Sequence, residues 1–123
     1  MANKYTFPAG DYYIGDICYV VDDIHEGWES IGRQIGWELN IPSEEWRDTF
    51  VYRGHTGFME STAYGDGYYT GSNGHKFPVD SGSIGILPFE AMDMGGEVFT
   101  FTKPFEVYCE DGVFHFGDIV IDT

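Results

Sequence analysis

Positive charge is scarce in this sequence. Its 123 residues include only six lysines and arginines but 21 aspartates and glutamates, giving a formal net charge of -15. Nucleic-acid affinity comes from lysine and arginine displacing the counterions of phosphate groups. The shortage of cations therefore argues against direct nucleic-acid binding and favours a partner with a basic surface. The negative charge is not a tail, since residues 1–64 carry eleven acids against four bases and residues 65–123 ten against two.

Cysteine and long apolar runs are also scarce. Cys18 and Cys109 each lie in an apolar stretch, so we expect two buried thiols in a reducing cytoplasm rather than a disulfide. No stretch approaches the roughly 20 apolar residues of a membrane span. The first residues show no basic segment followed by an apolar run, as a signal peptide would. The sequence thus predicts a cytoplasmic protein without membrane contact.

Aromatic and apolar residues are abundant, which argues against disorder despite the charge. The chain is 18% aromatic and 42% hydrophobic, enough apolar surface to offset the entropy lost on ordering. A chain of this length forms one domain with a real core. We therefore expect a single compact domain over residues 1–123.

The first half of the sequence predicts a strand followed by helices. Residues 12–21 have the β-branched and aromatic composition of a buried strand. Apolar residues at helical spacing predict a helix over 24–39, with Asp23 and Glu26 as its capping pair. A second short helix is predicted over 44–50.

From residue 57 onward, apolar stretches alternate with glycine-containing turns. Asn73-Gly74 and Asp111-Gly112 are hairpin signals, because such turns require positive φ angles. The resulting expectation is a mainly β, α+β fold. It is a twisted antiparallel sheet, rolled or sandwich-like, of seven to eight short strands with one or two helices between about 24 and 50.

The sequence contains no recognisable catalytic or metal-binding motif. Four Gly-Asp pairs could in principle gather oxygen ligands for calcium, but Gly with Asp is ordinary turn chemistry. The four histidines are widely scattered and lack the spacing of a metal site or a general base with its partner. We expect no catalytic residue, no metal and no cofactor.

Two surfaces are candidates for partner binding. The first is the glycine-rich hairpin after residue 63, which we expect to have a flexible tip and to expose one of two adjacent tyrosines beside an aspartate. Its candidate contact residues are Tyr64, Asp66, Tyr68 and Tyr69. The second is the acidic face of the predicted helix, formed by Glu26, Glu29 and Glu38.

Several segments resemble a group of small, largely uncharacterised proteins of bacteriophages and bacteria. The resemblance is carried by residues 10–19 (GDYYIGDICY), 62–69 (TAYGDGYY), 79–86 and the ending 111–123. Members often have proline where this chain has Ile17, a departure that affects only local strand geometry. The resemblance implies a phage or mobile-element origin, hence the host cytoplasm as location, and no catalytic residue can be carried over from it.

The leading functional hypothesis is a non-enzymatic acidic protein that binds and modulates a host protein. Its concrete form is inhibition of a host defence or nucleic-acid-processing factor, and a narrower form is DNA mimicry by carboxylates. One alternative is a generically acidic phage protein whose charge serves only solubility. Two functional alternatives also stay open. One is a small nucleotide- or sugar-directed enzyme with paired carboxylates such as Asp16 and Asp66, and the other is a structural, virion-associated β protein. The sequence leaves the oligomeric state undetermined.

Overall fold

Eleven β-strands dominate the computed structural model, which describes residues 2–22 and 27–123. The strands are β1 (Tyr5–Phe7), β2 (Gly10–Gly15), β3 (Thr49–Tyr52), β4 (His55–Ser61), β5 (Gly67–Thr70), β6 (Lys76–Val79), β7 (Ser83–Pro88), β8 (Val98–Phe101), β9 (Phe105–Glu110), β10 (Val113–Phe116) and β11 (Ile119–Asp122). Within these ranges there is one α-helix, α1 (Gly27–Ile35). Single turns of 3-10 helix lie at Ile17–Tyr19, Trp37–Leu39, Ser43–Glu45 and Phe89–Ala91.

The strands form three antiparallel sheets. Sheet A has the order β1-β9-β10-β11, sheet B the order β3-β4-β7-β2-β8, and sheet C is the hairpin β5-β6. Two of the hairpins are closed by two-residue turns, Arg53-Gly54 and Asp111-Gly112, in which both residues have positive φ. Such turns match the right-handed twist of the flanking strands. The predicted Asp111-Gly112 turn is therefore confirmed.

Sheet B is the middle layer of the molecule. Tyr12 and Ile14 of β2 face sheet A and join one apolar core with Phe114 and Phe116 of β10. Tyr13, between them on β2, faces the other way into a second core beneath α1. Successive strand residues point to opposite faces, so the apolar run of β2 is explained by burial on both sides. The predicted mainly β fold with a helix covering one face is confirmed, but the described residues form eleven strands rather than the seven to eight expected.

Two element boundaries differ from the sequence prediction. The strand predicted over 12–21 ends at Gly15, because the Asp16 carboxylate accepts a hydrogen bond from the Cys18 amide and caps a 3-10 turn. Helix α1 ends at Ile35, where Gly36 takes a φ of 138° that L-residues rarely adopt. The start predicted for this helix, with its capping pair Asp23 and Glu26, lies outside the described residues.

The second predicted helix, over 44–50, is wrong. Only Ser43–Glu45 forms a helical turn, and Trp46 is already extended, with φ -68° and ψ 147°. Residues from Thr49 onward pair with β4, in the register Thr49 to Phe58. Cross-strand pairing of β-branched and aromatic side chains therefore overrides the local helical pattern.

The two cysteines form no disulfide. Cys109 is buried and Cys18 is half-buried, so the expectation of two buried thiols holds fully for Cys109 alone. Burial raises the pKa of the Cys109 thiol to about 12, which makes it a poor nucleophile. Among the described helices, none is long and apolar enough to span a membrane.

Candidate functional site

The hairpin of sheet C presents most of the residues predicted to bind a partner. Tyr64 and Tyr68 are 85% and 72% exposed, and Asp66 is exposed beside them. Tyr69 points inward instead, and its hydroxyl donates a hydrogen bond to the Gly65 carbonyl at 2.7 Å. One tyrosine of the adjacent pair is thus exposed and the other packs on the core, as strand alternation requires.

The tip of this hairpin is anchored, contrary to the expectation of a flexible tip. The Ser72 amide donates to the Val120 carbonyl at 2.8 Å, and the Val120 amide donates to Ser72 Oγ at 2.9 Å. Phe77 and Val79 of β6 are buried in the core shared with sheet A. Side chains on the outer face of the hairpin are therefore held on a fixed backbone.

Two residues that sequence reasoning did not select extend this surface. Asp66 immediately precedes β5, and Asp80 immediately follows β6. Gly67 and Val79 are paired across the two strands, so the two aspartates lie next to this pair at the open end of the hairpin. The Tyr19 hydroxyl donates to Asp80 Oδ2 at 2.6 Å, and this bond raises the pKa of Tyr19. We name these residues the tyrosine–aspartate patch: Tyr19, Tyr64, Asp66, Tyr68 and Asp80.

The buried Asp16 carboxylate positions the loop that carries Asp80. Its oxygens accept hydrogen bonds from the amides of Asp80 and Ser81, at 2.8 and 2.7 Å, and from Ser81 Oγ at 2.8 Å. Together with the Cys18 amide, these donors satisfy a fully buried charge. Hydrogen bonds to an ionised group are stronger than neutral ones, so Asp16 fixes the patch from below.

The acidic helix lies elsewhere on the molecule. Glu29 of α1 is exposed and forms an ion pair with Arg33 at 3.8 Å, and Glu38 is exposed on the following 3-10 turn. Helix α1 covers the face of sheet B that points away from sheet A. The structure therefore does not bring these residues together with the hairpin, and Glu26 lies outside the described residues.

Asp16 and Asp66, the carboxylate pair suggested by the sequence, lie in different environments. Asp16 is fully buried and committed to its hydrogen bonds, whereas Asp66 is exposed on the hairpin. No hydrogen bond joins the two. Within residues 2–22 and 27–123, no group of three or more His, Cys, Asp or Glu side chains is placed to hold a metal ion.

A second feature, which sequence reasoning missed, is a cavity of about 970 Å³ beside the edge of sheet B. Strand β3 begins opposite Phe58, so the later residues of β4 lack a partner strand on that side. The cavity lies there, between β1 and β9 of sheet A and the segment that leads from α1 into β3. Its volume is within the range of small-molecule sites.

All three tryptophans of the chain line this cavity. The ring centroids of Trp28 and Trp37 are 5.0 Å apart, and those of Trp37 and Trp46 are 6.0 Å apart, so Trp37 lies between the other two. Trp46 Nε1 donates to the Ile41 carbonyl at 3.1 Å, which fixes that ring. The three half-buried rings form a continuous aromatic wall.

Asp48 and Glu60, both half-buried, line the same cavity. The Tyr5 hydroxyl donates to Asp48 Oδ1 at 2.6 Å, and burial together with this bond raises the pKa of Tyr5 to about 12. Burial and the neighbouring Asp48 charge raise the pKa of Glu60 to about 7. The carboxylates that the structure brings near each other are thus Asp48 and Glu60.

Among the described residues, no hydrogen-bond donor or cation pairs with the Glu60 carboxyl, which distinguishes it from Asp16 and Asp93. Asp16 is satisfied by hydrogen bonds, and Asp93, whose side chain is 3% exposed, forms an ion pair with Arg53. Burial would raise the pKa of Asp93, but the Tyr52 hydroxyl at 2.5 Å, the Asp22 amide and Arg53 outweigh it, so that pKa is lowered. No described side chain donates a hydrogen bond to the Glu60 carboxyl or forms an ion pair with it.

The outer face of sheet A is a further acidic surface. Tyr108 and His115 stack across β9 and β10, with ring centroids 4.3 Å apart and an interplanar angle of 9°. Exposed carboxylates surround this stack on the same face: Glu106, Glu110 and Asp122. His115 is half-buried on this face.

A signal for the cavity does exist in the sequence. The three tryptophans fall within nineteen positions of one another, and Glu44, Glu45 and Asp48 lie beside the last of them. The helical interpretation of 44–50 assigned Trp46 to a buried helix face and so concealed this association.

Compared with protein-family models, with curated proteins and with solved structures, the chain matches none.

Proposed function

We propose that this chain is a non-enzymatic acidic interaction protein, and that it binds a basic surface of a host protein. The observation that carries the proposal is the tyrosine–aspartate patch, which combines exposed tyrosines with two exposed aspartates at the open end of the hairpin. Tyrosine is favoured at binding surfaces because it contributes large contact area at low entropic cost. Aspartate adds electrostatic complementarity to lysine and arginine.

The charge distribution supports a basic partner. Fourteen of the nineteen described carboxylates are exposed, so most of the negative charge faces solvent. Few cations offset it, and one of them, Lys76, lies over the Tyr68 ring within the hairpin, with Nζ 5.7 Å from the ring centroid. A protein with this surface attracts a basic partner over distances of about a Debye length.

The resemblance to phage and bacterial proteins supports a more specific form of the proposal. A phage-encoded acidic protein in the host cytoplasm would act on a host factor, and we propose a defence or nucleic-acid-processing protein. Such proteins carry basic grooves that normally hold phosphates. The proposed outcome of binding is inhibition.

DNA mimicry is a narrower form of the same proposal. The outer face of sheet A supports it, because Glu106, Glu110 and Asp122 are exposed on one face of a hydrogen-bonded sheet. Same-face residues four positions apart on a strand are separated by about 14 Å. If this face occupies a nucleic-acid groove, double-stranded DNA should compete with the protein for its partner.

The experiment is affinity capture from bacterial host lysate with the wild-type protein and with a double variant, Asp66→Ala with Tyr68→Ala. Both side chains are exposed and neither belongs to a core, so the variant should fold normally. We expect a partner that the wild type retains and the double variant loses.

A second double variant, Glu29→Ala with Glu38→Ala, is the control. It removes more charge than the first variant, but from the helix side of the molecule. Retention of the partner by this control assigns binding to the patch. Loss with the helix variant and retention with the patch variant would place the interface on the acidic helix and refute the assignment.

A further inference from the structure

The tryptophan-lined cavity has a wall and a charge that together suit one class of ligand. Trp28, Trp37 and Trp46 provide aromatic rings, and Asp48 and Glu60 provide carboxylates that line the same cavity. Aromatic faces attract cations through the ring quadrupole, and carboxylates attract them through charge. Neutral apolar ligands would use the aromatic wall but leave the carboxylates without a partner.

We propose that this cavity binds the head group of an organic cation, an alkylammonium or a guanidinium, between the tryptophan wall and the Asp48–Glu60 pair. The proposal concerns a second site, since the cavity includes none of the residues of the tyrosine–aspartate patch. It stands independently of the proposed function, although a lysine or arginine side chain of a basic partner is one source of such a head group.

The charge balance of the cavity favours a cation over a phosphate or a neutral sugar. Glu44 and Arg47, both exposed at its rim, offset each other, which leaves Asp48 and Glu60 uncompensated. Asp48 already accepts the Tyr5 hydroxyl, whereas the Glu60 carboxyl has no partner among the described residues. A shielded carboxylate without a counterion is destabilised, and a cation placed beside Glu60 removes that cost.

The neighbouring groups explain why binding should depend on pH. Tyr5 of β1 and Cys109 of β9 both have pKa values raised to about 12, so they stay neutral below pH 9. Glu60 is the group that changes charge near neutrality, with its pKa raised to about 7 by burial and by Asp48. A bound cation favours the ionised carboxylate, so binding should release a proton and strengthen as pH rises.

Intrinsic tryptophan fluorescence tests the proposal directly, because every tryptophan of the chain lines the cavity. The probes are N-acetyl-arginine amide and ethylguanidinium, with their neutral counterparts N-acetyl-citrulline amide and ethylurea. We expect saturable fluorescence changes with the cations, at a Kd of about 1 mM or tighter, and none with the neutral compounds. Between pH 6 and pH 8 the affinity for the cations should rise about tenfold.

A matched pair of variants assigns the effect to the cavity. Glu60→Gln should weaken cation binding at pH 8 at least tenfold and abolish its pH dependence, whereas Glu106→Gln removes the same charge from the outer face of sheet A and should change neither. The Asp66→Ala/Tyr68→Ala variant should bind the cations normally. A failure of the cation proposal is therefore distinguishable from a failure of the proposed partner binding by the patch.

Each outcome decides the proposal. Binding of both cations supports a protein side chain as the source, and binding of ethylguanidinium alone supports a free small cation. Equal binding of citrulline amide or ethylurea, no saturable binding, or an unchanged affinity in Glu60→Gln would overturn it.

Discussion

Glu60 should make the protein less stable at alkaline pH, and the Glu60→Gln substitution should remove this effect. Burial and the Asp48 charge raise the pKa of Glu60 from 4.5 to about 7 in the folded state. The folded protein therefore binds a proton that the unfolded chain releases between these two values. The stabilisation from this proton is complete below pH 4.5 and is lost as pH rises through 7.

The magnitude follows from the pKa difference. A difference of one in pKa corresponds to about 1.4 kcal/mol, so the full rise from 4.5 to about 7 would amount to about 3.5 kcal/mol. Glu60 is partly exposed, and solvent screening reduces the expected effect to about 1–2 kcal/mol. Because glutamine keeps the shape of the side chain without its charge, the variant lacks this dependence.

The assay is urea denaturation of wild type, Glu60→Gln and Glu106→Gln at pH 5 and pH 8, followed by circular dichroism. Other carboxylates also titrate, so the informative quantity is the difference between proteins rather than each curve alone. From pH 5 to pH 8, wild type should lose about 1–2 kcal/mol more of its free energy of unfolding than Glu60→Gln. The exposed control Glu106→Gln should follow wild type. Parallel losses in wild type and Glu60→Gln would refute the reasoning.

Three further predictions concern the rest of the molecule. Asp16→Asn should lower the free energy of unfolding by about 2–4 kcal/mol, because the amides of Asp80 and Ser81 lose a charged acceptor. The control Asp118→Asn, at the exposed Gly-Asp pair of the β10–β11 turn, should change that free energy by no more than about 0.5 kcal/mol. Equal effects of the two substitutions in urea denaturation would contradict the anchoring role of Asp16. Thermal melts with and without EDTA should coincide, and a drop of many degrees on chelation would reveal a structural metal. Mass spectrometry after iodoacetamide treatment at pH 8 should find Cys109 unmodified in the native protein and modified in urea, and rapid native labelling would disprove its burial.

The sequence predicted the features that depend on local chemistry. The Asp111-Gly112 turn was recognised because its φ angles restrict which residues fit. The alternating exposure of Tyr68 and Tyr69 followed from strand geometry alone. Each of these inferences needed only neighbouring residues.

Features that depend on long-range pairing were missed. Residues 44–50 have a local helical pattern, but pairing with β4 makes Thr49–Tyr52 a strand, and no local rule shows that competition. Glu60 looks like an ordinary solvent-facing strand residue in sequence. Its environment depends on Asp48 and on strands β1 and β9, which are distant along the chain.

The anchoring role of Asp16 was missed for the same reason. Gly15-Asp16 was interpreted as turn chemistry, which explains only its bond to the Cys18 amide. Its other donors are more than sixty positions away, on the loop after β6. Only the folded chain reveals that this carboxylate positions the patch.

A salt series on the captured partner tests whether the tyrosine–aspartate patch binds a basic protein surface. The affinity of wild type and of the Asp66→Ala/Tyr68→Ala variant would be measured by titration calorimetry from low to physiological salt. We predict that the wild-type affinity falls steeply with salt and that the variant binds more weakly throughout, because charges at an exposed interface are screened. A wild-type affinity that stays constant across the series, or a variant that binds as tightly as wild type, would contradict the account.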